Sequence, residues 1–137
     1  MPDGAAVSGA VAARSGSIRK DQMRALKAYE WAQRARANNY LDDYEIAVQS
    51  FAASLLRGGL AVAVSVLERS KTRAAFDQLL TDLAGYRVPG IEPGPKDAWP
   101  DKVRRIPTTI GYMQAAREFI ALAAWLKRAC RAVGEGE

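Results

Sequence analysis

TTIGYMQAAREFIALAAWLKRACRA, residues 108–132, decides how the rest of the chain is read. It sustains a helical period over about seven turns without an internal proline. Tyr112, Ala115, Phe119, Leu122, Ala123, Leu126 and Cys130 recur at i, i+3, i+4 and i+7, so one face is apolar throughout. Thr108 or Thr109 is the expected N-cap, Pro107 blocks extension upstream, and Gly134 is the expected residue just past the C-terminus. Lys127, Arg128 and Arg131 fall in the last turns, where cations complement the carbonyl end of the helix dipole. The other side is not cleanly polar. Met113 and Ile120 lie on one flank and Trp125 on the other, leaving a narrow charged strip around Arg117 and Arg128. A helix apolar on most sides is enclosed by its own domain or pressed against a partner. Ile120 and Trp125, off the main stripe, are the interface candidates.

Upstream, the same period recurs. Ser17 is placed to cap a first helix from Ile18 to Ala37, with Ile18, Ala25, Leu26, Tyr29 and Ala32 facing inward. Lys20, Arg24, Lys27 and Arg34 then share the opposite strip, with Trp31 among them. That strip has two readings. It is a solvated face, or it is a phosphate-contacting strip with one stacking aromatic. After a turn at Asn38–Leu41, Asp42 caps a second helix with Glu45 at its N3 position. Tyr44, Val48, Phe51 and Leu55 form its buried stripe, and Arg57-Gly58-Gly59 ends it at a left-handed glycine. The run LAVAVSVLERSK alternates like a strand, but a lone strand would have no sheet to join, so a buried helix is expected. Ser70 or Thr72 caps a fourth helix, with Phe76, Leu79, Leu80 and Leu83 inward and Gly85 at its end.

From Tyr86 to Pro107 the period collapses, and five of the six prolines fall here. A long loop is expected, carrying Lys96, Trp99, Lys102, Arg104 and Arg105; it either wraps an RNA strand or is an insertion. The expected fold class is therefore all-α, a compact bundle of four to five helices with one long Pro-rich loop. Residues 17–133 form the single domain, 1–16 a disordered lead-in, and 134–137 a flexible tail.

Composition narrows the chemistry. The chain of 137 residues carries 20 Lys and Arg against 15 Asp and Glu, a net charge of +5 that favours an anionic partner. There is no histidine, which removes the commonest general base and most zinc and iron sites. Cys130, the single cysteine, continues an apolar stripe and reads as a core thiol in a reducing, cytoplasmic compartment. No stretch reaches the length of a membrane span. Asp42, Asp43 and Glu45 are the densest acidic group, and a helix N-terminus accounts for them without a metal. A metal-dependent nuclease on Asp42, Asp43, Asp77 or Asp82 would need several carboxylates converging on one ion, and no such clustering is visible. No catalytic residue, metal or cofactor is expected.

Two stretches in order resemble a known family. YEIAVQSFAASLLRGGLAVAVSVLERSK is similar to its helix–Gly-Leu–helix element, and YMQAAREFIALAAWLKRAC to its C-terminal helix, with the Trp125-Leu126-Lys127-Arg128 ending. ALKAYEWAQRA fits its Ala-rich opening segment. The family is the small α-helical subunit of the type III-B CRISPR effector, the Cmr RNA-guided complex. The 86–107 segment is longer than the family's usual connection. The resemblance implies a non-catalytic subunit that stacks in several copies as an inner filament beside the backbone and large subunits, along the groove where guide RNA pairs with target RNA. The RNA-contacting candidates are Lys20, Arg24, Lys27, Trp31, Arg34, Arg57, Arg104, Arg105, Arg117 and Arg128. A helical adaptor that binds only protein is the competing class; its RNA binding would be weak and insensitive to salt.

Overall fold

A computed structural model describes residues 9–135, with side chains from Arg19 onward. Six helices follow one another: α1 (Gly9–Ala37), α2 (Leu41–Gly58), α3 (Leu60–Arg69), α4 (Ala74–Ala84), α5 (Trp99–Arg104) and α6 (Thr109–Glu135). No strand forms among the described residues, so the fold is all-α, and the alternating run after Gly59 is helical as expected.

α6 is the organising helix, and Phe119 is its centre. The Phe119 ring packs against Phe51 of α2 at 6.4 Å, Tyr86 at 6.2 Å and Trp99 of α5 at 5.6 Å, mostly edge to face. The predicted stripe Ala115, Phe119, Leu122, Ala123, Leu126 and Cys130 is buried, and Tyr112 is packed at its edge. Burial pushes the Cys130 thiol up to about 12, which suits a core residue. Thr108 caps the helix through its hydroxyl, which accepts from the Gly111 N–H at 3.0 Å. Gly134 does not end it; the helix runs through to Glu135.

The break between α2 and α3 has a specific construction. Gly59 takes φ +88°, open to glycine at little cost, and its N–H closes the last turn of α2 on the Leu55 carbonyl. α3 therefore starts with unpaired N–H groups, and the Tyr112 hydroxyl of α6 accepts from Ala61 N–H at 2.9 Å. The cap of α3 is thus supplied from 51 residues downstream.

Several expected boundaries move. α1 begins at Gly9 rather than Ile18, so backbone expected in the lead-in continues this helix, while residues 1–8 lie outside the described part. Asp42 sits in the first turn of α2 instead of capping it; the chain enters from Asn39, which takes φ 63°, a conformation asparagine tolerates. Arg73, not Ser70 or Thr72, precedes α4, and Gly85 ends that helix at an ordinary negative φ.

The expected loop at 86–107 is structured and partly internal. Val88-Pro89-Gly90-Ile91 forms a tight turn, with Ile91 N–H donating to the Val88 carbonyl at 3.3 Å and Gly90 at φ +85°. Proline second and a positive-φ glycine third are what a type II turn requires. Val88, Ile91, Trp99 and Val103 are all buried, and the Pro100 that follows Trp99 opens α5, where its missing N–H costs nothing. The prolines set turns and a helix start; they do not make the segment a tether.

Candidate nucleic-acid interface

α1 and α6 run side by side in the same direction: Arg24 reaches Glu118, and Arg36 reaches the Val133 carbonyl. The buried face of α1 is Ala28, Trp31, Ala32 and Ala35, whose small side chains let the helices approach closely. Leu26, expected inward, is 69% exposed. Of the other residues expected inward, Ala32 is buried, Tyr29 packs against the core, Ala25 is half-buried, and Ile18 lies outside the described side chains, so Leu26 is the departure. The strip of Lys20, Arg24, Lys27, Trp31 and Arg34 borders the protein body, and Leu26 looks outward.

The burial of Trp31 within the strip goes with partners for its neighbouring cations. Arg24 grips Glu118 with two parallel bonds of 2.9 and 2.8 Å, and the Tyr86 hydroxyl donates to the same carboxylate at 2.9 Å. The Arg24 hydrogen bonds hold Glu118 below its ordinary pKa against the opposing effect of burial. Tyr86 is pushed up, first by burial and then by donating to a carboxylate. Arg34 donates to Asp82 of α4 at 2.5 Å and to the Tyr40 hydroxyl at 3.0 Å. Asp82, 8% exposed, also accepts from Tyr44 at 2.6 Å and Gln78 at 3.0 Å. Burial alone would lower the Arg34 pKa, but these hydrogen bonds outweigh it and leave it raised. Trp31 is 5% exposed and packs edge-on against Tyr86 at 6.1 Å, so its ring face is not presented to solvent. Lys20 stays exposed, and Lys27 faces Glu30 at 3.9 Å.

The other candidates divide similarly. Arg104 is engaged by Glu68, and Arg105 by Asp101 one turn earlier. Arg57 is exposed, and among the described residues its side chain makes one long hydrogen bond, to the Ala53 carbonyl of its own helix. Arg117 is exposed and forms no ion pair among the described residues. Arg128 lies over the Trp125 ring at 5.0 Å. Trp125 is half-buried, and its indole N–H donates to Asp21 at 2.9 Å, so part of this interface candidate is spent on α1. Ile120 is 40% exposed.

Sequence reasoning passed over one arrangement. Met113, Arg117, Ile120, Ala124, Lys127 and Arg131 follow one another at spacings of three and four along the outer face of α6. Met113, Ile120 and the neighbouring Leu56 of α2 expose apolar surface, while Arg117, Lys127 and Arg131 carry no salt bridge among the described residues. The face is cationic and apolar in alternation. The dipole role expected for Lys127, Arg128 and Arg131 does not hold, because the helix runs on to Glu135 and its last turn has no basic residue; the phase of Lys127 and Arg131 with Arg117 is the signal in the sequence that finds this face.

Among the described residues no group of three or more His, Cys, Asp or Glu could hold a metal ion, and no helix is long and apolar enough to cross a membrane. The architecture is that of a helical bundle with charged outer faces. The model of the CRISPR-associated protein family Cas_Cmr5 matches residues 20–133, and the chain belongs to that family. It is a small subunit of the type III-B Cmr complex, which it shares with other subunits. Comparison with the curated proteins found no match, and comparison with the solved structures found none.

Proposed function

We propose that this chain is a non-catalytic, cytoplasmic subunit that stacks with copies of itself in the Cmr complex, beside the backbone and large subunits. In this reading it holds RNA, guide or target, by its sugar-phosphate backbone along the outer face of α6. The observation that carries this is the run Arg117, Lys127, Arg128 and Arg131. These cations share an exposed side of one rigid helix, and no carboxylate among the described residues neutralises them. From Arg117 to Arg131 the helix rises roughly 21 Å, enough to follow a backbone across several phosphates. Such contacts position a strand without reading its bases. In an RNA-guided complex, sequence is read by base pairing instead. Arg57 is an exposed cation of the same kind. Met113, Ile120 and Leu56 offer apolar surface beside the run for a neighbouring copy. The absence of histidine, and the use of Asp82 and Glu118 to hold helices together, support a role without catalysis.

The test is the salt dependence of RNA binding by the assembled complex. Each single-strand phosphate neutralised contributes about −0.7 to the log–log slope. Replacing Arg117, Lys127, Arg128 and Arg131 together by glutamine should flatten it by about 2.8, with similar losses for unrelated sequences. An unchanged slope in that variant would remove RNA from this face and favour the protein-only adaptor.

A further inference from the structure

A cleft of about 520 Å³ lies between α1, the end of α4 and the turn that follows it, with Glu118 of α6 in its lining. Its walls are mainly apolar, from Met23, Trp31, Tyr86 and Pro89, and its volume is in the range of ligand-binding clefts. Two carboxylates, Asp82 and Glu118, reach the lining, but both are taken from within: Arg34, Tyr44 and Gln78 hold one, Arg24 and Tyr86 the other. The rim carries Lys20, Lys27 and Arg87. Lys20 and Arg87 are exposed with no ion pair among the described residues, and Lys27 has only the distant Glu30. The cleft therefore has an apolar floor and an unbalanced positive edge.

We infer that this cleft receives an acidic segment of a partner protein that inserts one large apolar side chain between Met23, Trp31, Tyr86 and Pro89 and sets carboxylates against Lys20, Lys27 and Arg87. Charge complementarity selects the acidic class: a basic segment would meet three cations in a site whose own acids are already committed. A protein segment fits better than a nucleobase. Trp31 is almost fully covered and Tyr86 spends its hydroxyl on Glu118, so the cleft offers neither an open aromatic face for stacking nor spare polar groups aimed at a base edge. A buried apolar anchor ringed by charged pairs is the usual anatomy of a protein contact. This inference is independent of the RNA reading, which uses the outer face of α6.

The test is an NMR titration of the full chain with a capped pentapeptide, Asp-Asp-Leu-Asp-Asp, following the indole N–H signals of Trp31, Trp99 and Trp125. The Trp31 signal should move with saturation while the Trp99 and Trp125 signals hold still. Replacing the peptide's leucine by alanine should weaken binding about tenfold, the loss expected for one anchor, and replacing its acids by lysine should abolish it. Gly85 lines the cleft, and a Cβ there meets only backbone oxygens at 3.7 Å, an ordinary contact. Gly85→Phe should therefore fill the space and remove binding without unfolding the chain. The surface variant Lys20→Glu, Arg87→Glu gives the same answer if Gly85→Phe proves unstable. No Trp31 shift with the acidic peptide, equal binding by the alanine peptide, or displacement of the peptide by single-stranded RNA with loss of RNA binding in these variants would each overturn the inference.

Discussion

Two sets of cations run along neighbouring, parallel helices, and in the folded protein they have opposite fates. On α1, Arg24 and Arg34 each end on a carboxylate supplied from far along the chain, Glu118 at a separation of 94 residues and Asp82 at 48. On the outer side of α6, Arg117, Lys127 and Arg131 meet no acid among the described residues. Side-chain chemistry and helical spacing are the same in both. The difference lies in what covers them: α4 and the 86–91 turn close over the edge of α1, while the outer face of α6 stays open. The cations of α1 hold helices together; those of α6 remain available to a partner.

The comparison is broken most severely at Asp82. This nearly buried acid joins α1, α2 and α4 through Arg34, Tyr44 and Gln78. Asp82→Ala leaves a phenol and a guanidinium without their acceptor. Removing one partner of a buried pair is costly, and the exposure of about a third of Arg34 reduces the figure, so a loss of about 2–3 kcal/mol is expected. Urea unfolding measures it. A loss no larger than that of an α6 surface variant would mean that the two sets of cations do not differ as described.

Next comes Glu118→Gln, expected to cost about 1–2 kcal/mol, since the carboxylate is partly shielded and has three hydrogen bonds from Arg24 and Tyr86. The sign of its pH dependence follows from the lowered folded pKa. As pH falls below the ordinary value of 4.5, the unfolded chain takes up the proton before the folded one does. The contribution is therefore complete above that value and is lost as pH drops through the folded pKa. Wild type should lose more stability than Glu118→Gln on acidification below about pH 4.5. Parallel acid-unfolding curves for the two proteins would show that Arg24 contributes nothing specific.

Trp125 stands on the border between the two regions, with its N–H on Asp21 and Arg128 across its ring. Trp125→Phe keeps an aromatic surface and loses the hydrogen bond, so about 0.5–1 kcal/mol is expected from thermal unfolding. If the variant is as stable as wild type but assembles less well into the complex, the indole belongs to the partner face instead of to α1.

How much of this was legible beforehand follows the same division. The periods of α2, α4 and α6 predicted their buried stripes almost residue for residue, because Tyr44, Phe51, Phe76 and Phe119 are large side chains in phase with one helical face. α1 was legible only in part, at Ala32 and Tyr29, because its inward face is built mostly from alanines. Ala28 and Ala35 carry little hydrophobic signal, and the exposed Leu26 carries a strong one in the wrong direction. The 86–107 segment misled for a related reason: prolines hide periodicity, although Trp99 and the Val-Pro-Gly-Ile turn were signs of order. Ion pairing was not legible at all. Nothing near Arg24 in sequence indicates that Glu118 will lie against it, and only the packing of α1 on α6 brings them together.

The smallest expected effect is also the sharpest test of the contrast. Replacing Arg117, Lys127, Arg128 and Arg131 by glutamine should change the stability of the isolated chain by no more than about 0.5 kcal/mol in either direction. Two opposing terms keep it small. Lys127 with Arg131, and Arg128 with Arg131, are like charges four and three residues apart, each repelling by about 0.2–0.5 kcal/mol. Against this, Arg128 over the Trp125 ring makes a cation–π contact of about 0.5–1 kcal/mol at an exposed site. Both terms fade as salt rises, so the variant and wild type should converge further in high salt. The double variant Arg24→Gln, Arg34→Gln removes only two charges, yet it should lower the melting temperature clearly and do so at any salt concentration, because its partners are partly buried. Differential scanning calorimetry of the two variants at low and high salt separates these outcomes. A fourfold α6 variant that melts as early as the α1 pair would show that its outer face is covered within the folded chain, and would withdraw those cations from any partner.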